Sequence, residues 1–449
     1  MATQPLNRKA AVVALTVMLA SCGGGGNSDK AATTSVGAQP AANGNEGAPS
    51  ELGSISAATD AEIVALLESG DIPSAAAAII VGDEIVWAKG YGEQASLDTV
   101  YMAGSIDKSF IATAAMPLVD HGRIDLQADI NTYLPFPVRH PDYPDTVVTV
   151  DQLMLHRSGL VGDLPDSVWY DNDLTALQWF SDEFGEDLSD NPYADGRPPL
   201  GDYLASHFEQ ADTTGLWIFE PDTDWKYSNL GVHLLLGYIV ERVSGRTIED
   251  YIEDHILAPL GMTDTGFEAA DYDESVLAVP HTRVDGTNKP LPITGMSASR
   301  RLRTTAIDLA RFLGAHMGAG SFDGTEILST DSTKTMQEVH TPLGGTDSDQ
   351  LRFRGIGYGW WLWTEDRSGH GGGVPGFLAK MVMQETDDGA VGVVVMINLG
   401  CSLNCDVTWK DLHWVPLREL LLAEARDILG STKRQLASDE SVRGDSARR

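Results

Sequence analysis

The stretch Ala103-Gly104-Ser105-Ile106-Asp107-Lys108 decides how this sequence is interpreted, because it places a serine three residues before a lysine. The alanine-rich apolar run that follows predicts a helix beginning at Ser105. On such a helix Ser105 and Lys108 share one face, and the hydroxyl stands at the positive end of the helix dipole. A nearby lysine can activate a serine by taking its proton. The alternative is a surface serine beside a solvated lysine, so the remaining motifs must decide.

Two later stretches carry polar groups beside predicted regular structure. Tyr227-Ser228-Asn229 stands directly before an apolar helical run, so the Tyr227 hydroxyl is expected to project from a turn into a cleft. The run His370-Gly371-Gly372-Gly373 contains three consecutive glycines, which let a backbone approach a ligand closely. The helix after Ser105 is expected to bend or end at Pro117. Strands are predicted over 75–81, 85–89, 357–363, 377–383 and 391–398, and further helices over 148–160 and 414–428.

The order Ser105-x-x-Lys108, Tyr227-Ser228-Asn229 and His370-Gly371-Gly372 resembles the serine β-lactamase-related superfamily, on the side of class C β-lactamases, D-alanyl-D-alanine carboxypeptidases and related esterases. The resemblance implies an α+β fold, with an antiparallel sheet built from both chain ends, flanked by helices, and an inserted all-helical lobe. The catalytic domain would span 58–430, with the α/β lobe at about 58–97 and 346–430 and the helical lobe at about 98–345. Residues 431–449 are expected to form a disordered tail.

The resemblance also implies roles for the motif residues. Ser105 would be the nucleophile, and Lys108 or Tyr227 would take its proton; the two are expected to titrate as a coupled group. The backbone N–H groups of Ser105 and Gly373 would form an oxyanion hole. Asn229 would orient Lys108 or the acyl side chain, and His370, Gly371 and Gly372 would bind the substrate. The resemblance implies no cofactor and no metal.

Two departures from the family pattern bear on the substrate. His370 stands where true β-lactamases carry a lysine that holds the substrate carboxylate, and Arg300-Arg301 stand where relatives often have two glycines. The first departure favours an esterase that acts on a small-molecule or peptide acyl substrate. The alternatives are a D-amino-acid peptidase or carboxypeptidase, a class C-like β-lactamase, and a non-catalytic lipoprotein that senses an acyl ligand.

Two further features of the middle of the chain are open to different interpretations. His156 is interpreted as a structural histidine beside a helix C-terminus, with catalysis as the alternative. Residues 163–190 combine nine carboxylates with several aromatic side chains and contain neither Lys nor Arg. They are either a solvated face or a lid over a pocket.

The first residues predict export and lipid anchoring. Arg8 and Lys9 precede an apolar run over 10–20 that is too short to span a bilayer and is typical of a signal peptide. Leu19-Ala20-Ser21-Cys22 resembles a bacterial lipobox, which implies a signal peptide over 1–21, a lipid on Cys22 and an outer-membrane anchor facing the periplasm. An ordinary secretory peptide is the alternative. Residues 22–57 are interpreted as a flexible tether.

Composition limits the partners. Of the 449 residues, 42% are hydrophobic and 21% charged, as in globular proteins, and the formal net charge is −34. Such a charge argues against nucleic-acid binding, which needs a basic face. Cys401 and Cys405 either form a disulfide or remain free in the oxidising compartment. The sequence leaves the oligomeric state open.

Overall fold

The structure is a computed structural model, and it describes residues 51–92, 95–171, 174–184, 191–193, 196, 198–284, 287–292, 302–343, 353–400 and 413–446. The predicted signal peptide, the predicted lipidation site Cys22, the Arg300-Arg301 pair and the cysteines at 401 and 405 lie outside the described residues.

The strands and helices follow in chain order. The strands are β1 (Glu51–Gly53), β2 (Ser74–Val81), β3 (Glu84–Gly92), β4 (Tyr101–Met102), β5 (His281–Val284), β6 (Thr287–Pro290), β7 (Arg303–Thr304), β8 (Ser321–Phe322), β9 (Thr325–Glu326), β10 (Thr341–Pro342), β11 (Gly355–Gly357), β12 (Trp360–Leu362), β13 (Arg367–Val374), β14 (Phe377–Thr386), β15 (Gly389–Ile397) and β16 (Leu399–Gly400). The α-helices are α1 (Ala57–Ser69), α2 (Asp107–Asp120), α3 (Val150–Met154), α4 (Ser167–Asp171), α5 (Leu174–Phe184), α6 (Leu200–Phe208), α7 (Gly237–Ser244), α8 (Ile248–Ile252), α9 (Ala258–Leu260), α10 (Ala306–Met317), α11 (Thr330–Met336) and α12 (Val415–Ser446). Two π-helical stretches, Leu230–Leu236 and Glu253–Leu257, and several short 3₁₀ turns accompany them.

The main sheet joins both parts of the chain. Its order is β1-β3-β2-β15-β14-β13-β12-β11-β10, and every neighbouring pair is antiparallel. The apolar run of β2 is almost entirely buried, as expected for a central strand covered on both faces. Alternate residues of β2 face two different cores: one contains residues of α2 and α10, the other residues of α1 and α12. This confirms the predicted fold class.

The inserted part of the chain is mainly helical, and it also carries the short strands β4 to β9. One of its helices, α10, packs directly on the sheet against β2 and β15. Phe110 of α2 stacks on Phe312 of α10 at 3.8 Å between ring centroids, and both rings are fully buried. This stack joins the helix that carries Lys108 to the helix that covers the sheet.

Four boundaries differ from the sequence predictions. The helix predicted over 148–160 has its N-cap at Thr149, as expected, but it ends at Met154. The strand predicted over 357–363 is divided into β11 and β12 by a turn, in which Gly359 has a φ of 75°. Helix α2 does not end at Pro117 but continues to Asp120, so of the two expectations for this proline, a bend or an end, the end is wrong. The last helix, α12, runs to residue 446 and so passes residue 431, from which a disordered tail was expected.

Among the described residues, no helix combines the length and the apolar character that crossing a membrane requires.

Candidate active site

Ser105 and Lys108 come together as their spacing predicts. Ser105 lies in a 3₁₀ turn, Gly104–Ile106, that leads directly into α2, and Lys108 occupies the first turn of that helix. The Lys108 Nζ lies 3.4 Å from the Ser105 Oγ as a hydrogen-bond donor. Lys108 is only 1% exposed and Ser105 8%. A buried amine beside a hydroxyl is the arrangement expected of an activated serine.

The glycine run on β13 presses its backbone against this turn. A Cβ atom on Gly372 would lie 1.8 Å from the Ala103 carbonyl oxygen and 3.0 Å from the Ser105 nitrogen. Gly104 has a φ of 56°, and a Cβ there would lie 2.7 Å from the Gly373 nitrogen. Both positions therefore require glycine, and their contact places the amide nitrogen of Ser105 beside Gly372 and that of Gly373 beside Gly104.

Gly371 lies on the same strand, but its position is not in contact with the Ser105 turn. A Cβ on Gly371 would contact the side chain of Lys380, 3.2 Å from its Cδ, since successive residues of a strand point to opposite faces. Lys380 is buried and its Nζ lies 4.6 Å from the centroid of the Trp363 ring. Of the predicted substrate-binding glycines, Gly372 faces Ser105 and Gly371 faces the other side of the sheet.

Tyr227 completes the group around Lys108. The Lys108 Nζ lies 5.1 Å from the centroid of the Tyr227 ring, and the Tyr227 ring stacks on Trp361 at 5.8 Å. Ser228 is structural: its Oγ donates to the Val161 carbonyl at 2.7 Å and accepts the Gly231 N–H at 2.9 Å. The second motif thus places its tyrosine ring beside Lys108 and uses Ser228 to close its own turn.

Asn229 lies behind Tyr227 and is almost fully buried. Its Nδ2 donates to the Asp163 carboxylate at 2.8 Å, and its Oδ1 has no hydrogen-bond partner among the described residues. A buried acceptor without a partner costs about 1–3 kcal/mol, so such groups are usually kept for a reason. Asp107, beside Lys108, pairs with His233 Nε2 at 3.3 Å, which ties α2 to the π-helical stretch after Asn229.

His370 lies against the same buried space but carries no charge. Its Nδ1 lies 2.7 Å from the Gly371 carbonyl, which only accepts, so the proton is on Nδ1. Burial, with the charge of Lys108 as the next cause, holds the pKa of His370 well below its usual value. His370 is therefore neutral at pH 7. With Lys108, His156 and Trp361 it lines a cavity of about 10 Å³, room for one water at most.

Residues 163–190 are anchored in the helical part at their N-terminal end. The Asp166 carboxylate accepts hydrogen bonds from the hydroxyls of Tyr193 and Tyr203 and lies 3.0 Å from His207 Nε2. The rings of Tyr170 and Tyr203 stack at 3.5 Å. Asp163 connects this segment to Asn229, so its beginning is neither a wholly solvated face nor a detached lid.

Sequence reasoning missed Trp361 as a member of the site. Its ring lies 5.8 Å from Tyr227, 5.9 Å from His370 and 6.3 Å from His156, measured between centroids. The aromatic run Trp360-Trp361 was visible, but only pairing of β12 with β13 brings it beside the third motif.

A model of the beta-lactamase family matches residues 59–407. The chain belongs to the beta-lactamase family. Among its relatives, Penicillin-binding protein 4 of Amycolatopsis lactamdurans is 29% identical over 70% of this chain and 75% of its own length. Esterase EstB of Burkholderia gladioli is 29% identical over 43% of this chain and 44% of its own length.

Solved structures agree with this assignment. The octameric penicillin-binding protein homologue from Pyrococcus abyssi superposes with a TM-score of 0.59 at 25% identity, over 76% of this chain and 73% of that one. D-amino acid amidase from Ochrobactrum anthropi SV3 has a TM-score of 0.59 at 20% identity, over 83% of this chain and 99% of that one, which shows a shared fold. The family resemblance read from the motifs is confirmed, and the chain is a serine hydrolase of this family.

Proposed function

We propose that this beta-lactamase-family protein hydrolyses esters, and more slowly amides, through a covalent acyl intermediate on Ser105. The observation that carries the proposal is the Lys108 Nζ at 3.4 Å from the Ser105 Oγ, beneath the glycine backbone of β13. An activated hydroxyl beside the backbone amides of a closely packed strand is the arrangement that acyl transfer uses, with the N–H groups of Ser105 and Gly373 as the proposed oxyanion hole.

The chemistry follows from these groups. Ser105 Oγ attacks the acyl carbonyl while its proton passes to whichever of Lys108 and Tyr227 is unprotonated, as a neutral amine or a tyrosinate, and the carbonyl oxygen becomes an oxyanion that the N–H groups of Ser105 and Gly373 stabilise. Each such donor contributes about 3 kcal/mol to the transition state. The proton then goes to the leaving alkoxide or amine as its bond to carbon breaks. Water then attacks the carbonyl of the acyl-Ser105. Lys108 or Tyr227 takes a proton from this water, and Ser105 Oγ leaves and regains its proton. Asn229 Oδ1 is available to orient Lys108 or the substrate.

The charge of the site favours neutral substrates. A β-lactam or a peptide C-terminus carries a carboxylate, and a charged hydrogen bond to it contributes about 1.5–3 kcal/mol. Neutral, buried His370 provides no such cation. Half-buried Trp225 and Trp361 contact each other beside Tyr227, with ring centroids 6.5 Å apart, and suit an apolar acyl or alcohol group.

Labelling and a substrate panel test the proposal. A p-nitrophenyl phosphonate should add one adduct to the wild type, located at Ser105 by peptide mass analysis, and none to Ser105→Ala. The panel contains p-nitrophenyl esters of short and long acids, a chromogenic cephalosporin, D-amino-acid amides and a D-Ala-D-Ala peptide. An adduct at Ser109 or Ser228 would refute the assignment of the nucleophile. Labelling without turnover of any substrate would favour a sensor.

We further propose that Cys22 carries a lipid that anchors the enzyme to the outer membrane, facing the periplasm. The apolar run over 10–20, the residues Leu19-Ala20-Ser21-Cys22 and the polar tether after them support it. Palmitate labelling of the wild type and of Cys22→Ser, followed by membrane fractionation, tests the proposal. Recovery of unlabelled protein with an uncleaved N-terminus from the cytosol would contradict it.

A further inference from the structure

His156 occupies a backbone position that usually belongs to glycine. Its φ is 57°, in the left-handed region, directly after α3. The His156 N–H donates to the Leu153 carbonyl at 3.2 Å, and the Arg157 N–H donates to the Gln152 carbonyl at 2.8 Å. These two bonds form a Schellman motif, whose left-handed residue is normally Gly and sometimes Asn. An imidazole that is kept at such a position points to a role for the side chain.

The hydrogen bonds of His156 lie on both sides of Tyr227. Its main-chain carbonyl accepts the N–H of Lys226 at 2.8 Å, and its Nδ1 accepts the N–H of Ser228 at 3.1 Å. The imidazole also contacts the Tyr227 ring, with centroids 4.6 Å apart. One residue therefore binds the N–H groups of both chain neighbours of Tyr227 and contacts one face of its ring.

The protonation state of the imidazole follows from its partner. A backbone N–H only donates, so Nδ1 must be unprotonated to accept it. Burial, reinforced by the charge of Lys108, lowers the pKa of His156 to about 3. The other titratable side chains that line the adjoining cavity are Lys108 and His370. The acceptor on Nδ1 is thus present throughout the neutral range, and the ring is a poor base there.

We propose that His156 is a positioning residue. By binding the N–H groups of Lys226 and Ser228, the two chain neighbours of Tyr227, it fixes Tyr227 relative to Lys108 and Ser105. It takes no proton from the reaction. This inference rests on the proposed role of Tyr227 in the acyl transfer. The residue that ends helix α3 thus also helps to assemble the active site.

Two substitutions separate the hydrogen bond from the backbone conformation. In His156→Asn, the amide Oδ1 can take the place of Nδ1, and asparagine tolerates the left-handed conformation. In His156→Gly, the backbone is relaxed while the acceptor and the ring are both lost. Thermal melting of both variants checks that the fold is retained.

We expect His156→Gly to lose about 10- to 100-fold in kcat with a small change in KM, because a displacement of about 1 Å of a catalytic group costs about 100-fold. His156→Asn should keep kcat within about 5-fold of the wild type, since its Oδ1 keeps a hydrogen bond to the Ser228 N–H. The pH profile of kcat/KM should shift in the glycine variant and not in the asparagine variant, which a general loss of stability would not produce.

The outcomes separate this inference from the proposed function. Failure of the phosphonate to label wild-type Ser105 would refute the acyl-serine mechanism itself. With labelling intact, a His156→Asn enzyme as inactive as Ser105→Ala would show that the imidazole acts in proton transfer. A His156→Gly enzyme with wild-type kcat and pH profile would show that the His156 side chain does not position Tyr227. Each of the last two results overturns the inference.

Discussion

The substitution Gly372→Ala tests the contact on which the proposed oxyanion hole depends. The added Cβ would lie 1.8 Å from the Ala103 carbonyl oxygen, where an ordinary contact begins at 3.4 Å, so strand and turn must separate by about 1.6 Å, the difference between the two. The obstacle is backbone, which no change of side-chain rotamer can relieve. The N–H groups of Ser105 and Gly373 then no longer converge. Loss of one oxyanion donor costs about 100- to 1,000-fold in kcat, or about 2.7–4 kcal/mol.

The assay is steady-state hydrolysis of a p-nitrophenyl ester, together with the rate of phosphonate labelling and a thermal melt. The matched control is Gly371→Ala on the same strand, whose Cβ would lie 3.2 Å from the Cδ of the flexible Lys380 side chain and at an ordinary contact distance of 3.7 Å from the Ala379 carbonyl oxygen. We expect Gly372→Ala to lose at least about 100-fold in kcat and Gly371→Ala less than about 5-fold. Equal activity of Gly372→Ala and the wild type, or equal losses in both variants, would refute the reasoning.

Three further predictions concern selectivity, stability and pH. Neutral esters should exceed cephalosporins in kcat/KM by at least about 10-fold, or about 1.4 kcal/mol, and His370→Lys should shift the ratio towards the anionic substrates; efficient cephalosporin hydrolysis by the wild type would contradict this. Phe110→Ala should lower the free energy of unfolding by about 3–5 kcal/mol in denaturant titrations, because it removes a fully buried ring stacked on Phe312. Burial acts to raise the pKa of Asp166, but the hydrogen bonds from His207, Tyr193 and Tyr203 and the charge of His207 together lower it; burial acts to lower the pKa of His207, but its hydrogen bonds to Asp166 and to the Tyr203 carbonyl, with the charge of Asp166, raise it. The carboxylate therefore stabilises the fold above its unfolded pKa of about 4, and the imidazolium does so fully below its unfolded pKa of about 6.5. Asp166→Asn should consequently lose most stability near pH 5 and less at strongly acidic or alkaline pH, as measured by thermal melts; a constant deficit across pH would contradict the assignment.

The sequence by itself determined the features that depend on near neighbours. Ser105 and Lys108 are three residues apart, so any helix through them brings the hydroxyl and the amine together. The turn between β2 and β3, the N-cap at Thr149 and the apolar strands β14 and β15 likewise follow from local pattern. The order of the three motifs was enough to predict the fold class and the family. The lipid on Cys22 remains a prediction, and a disulfide and two free thiols remain the alternatives for Cys401 and Cys405.

Only the tertiary structure decided the contacts between residues that are distant along the chain. Nothing local shows that Gly372 touches Ala103 while Gly371 faces away, because this depends on the register of β13 against β14 and on how the sheet meets the turn. The neutral state of His370 follows from its burial. The early end of α3 follows from the left-handed conformation of His156, whose hydrogen-bond partner Ser228 lies 72 residues away. Periodicity reports which face of an element is apolar, but it does not report which distant backbone that face will meet.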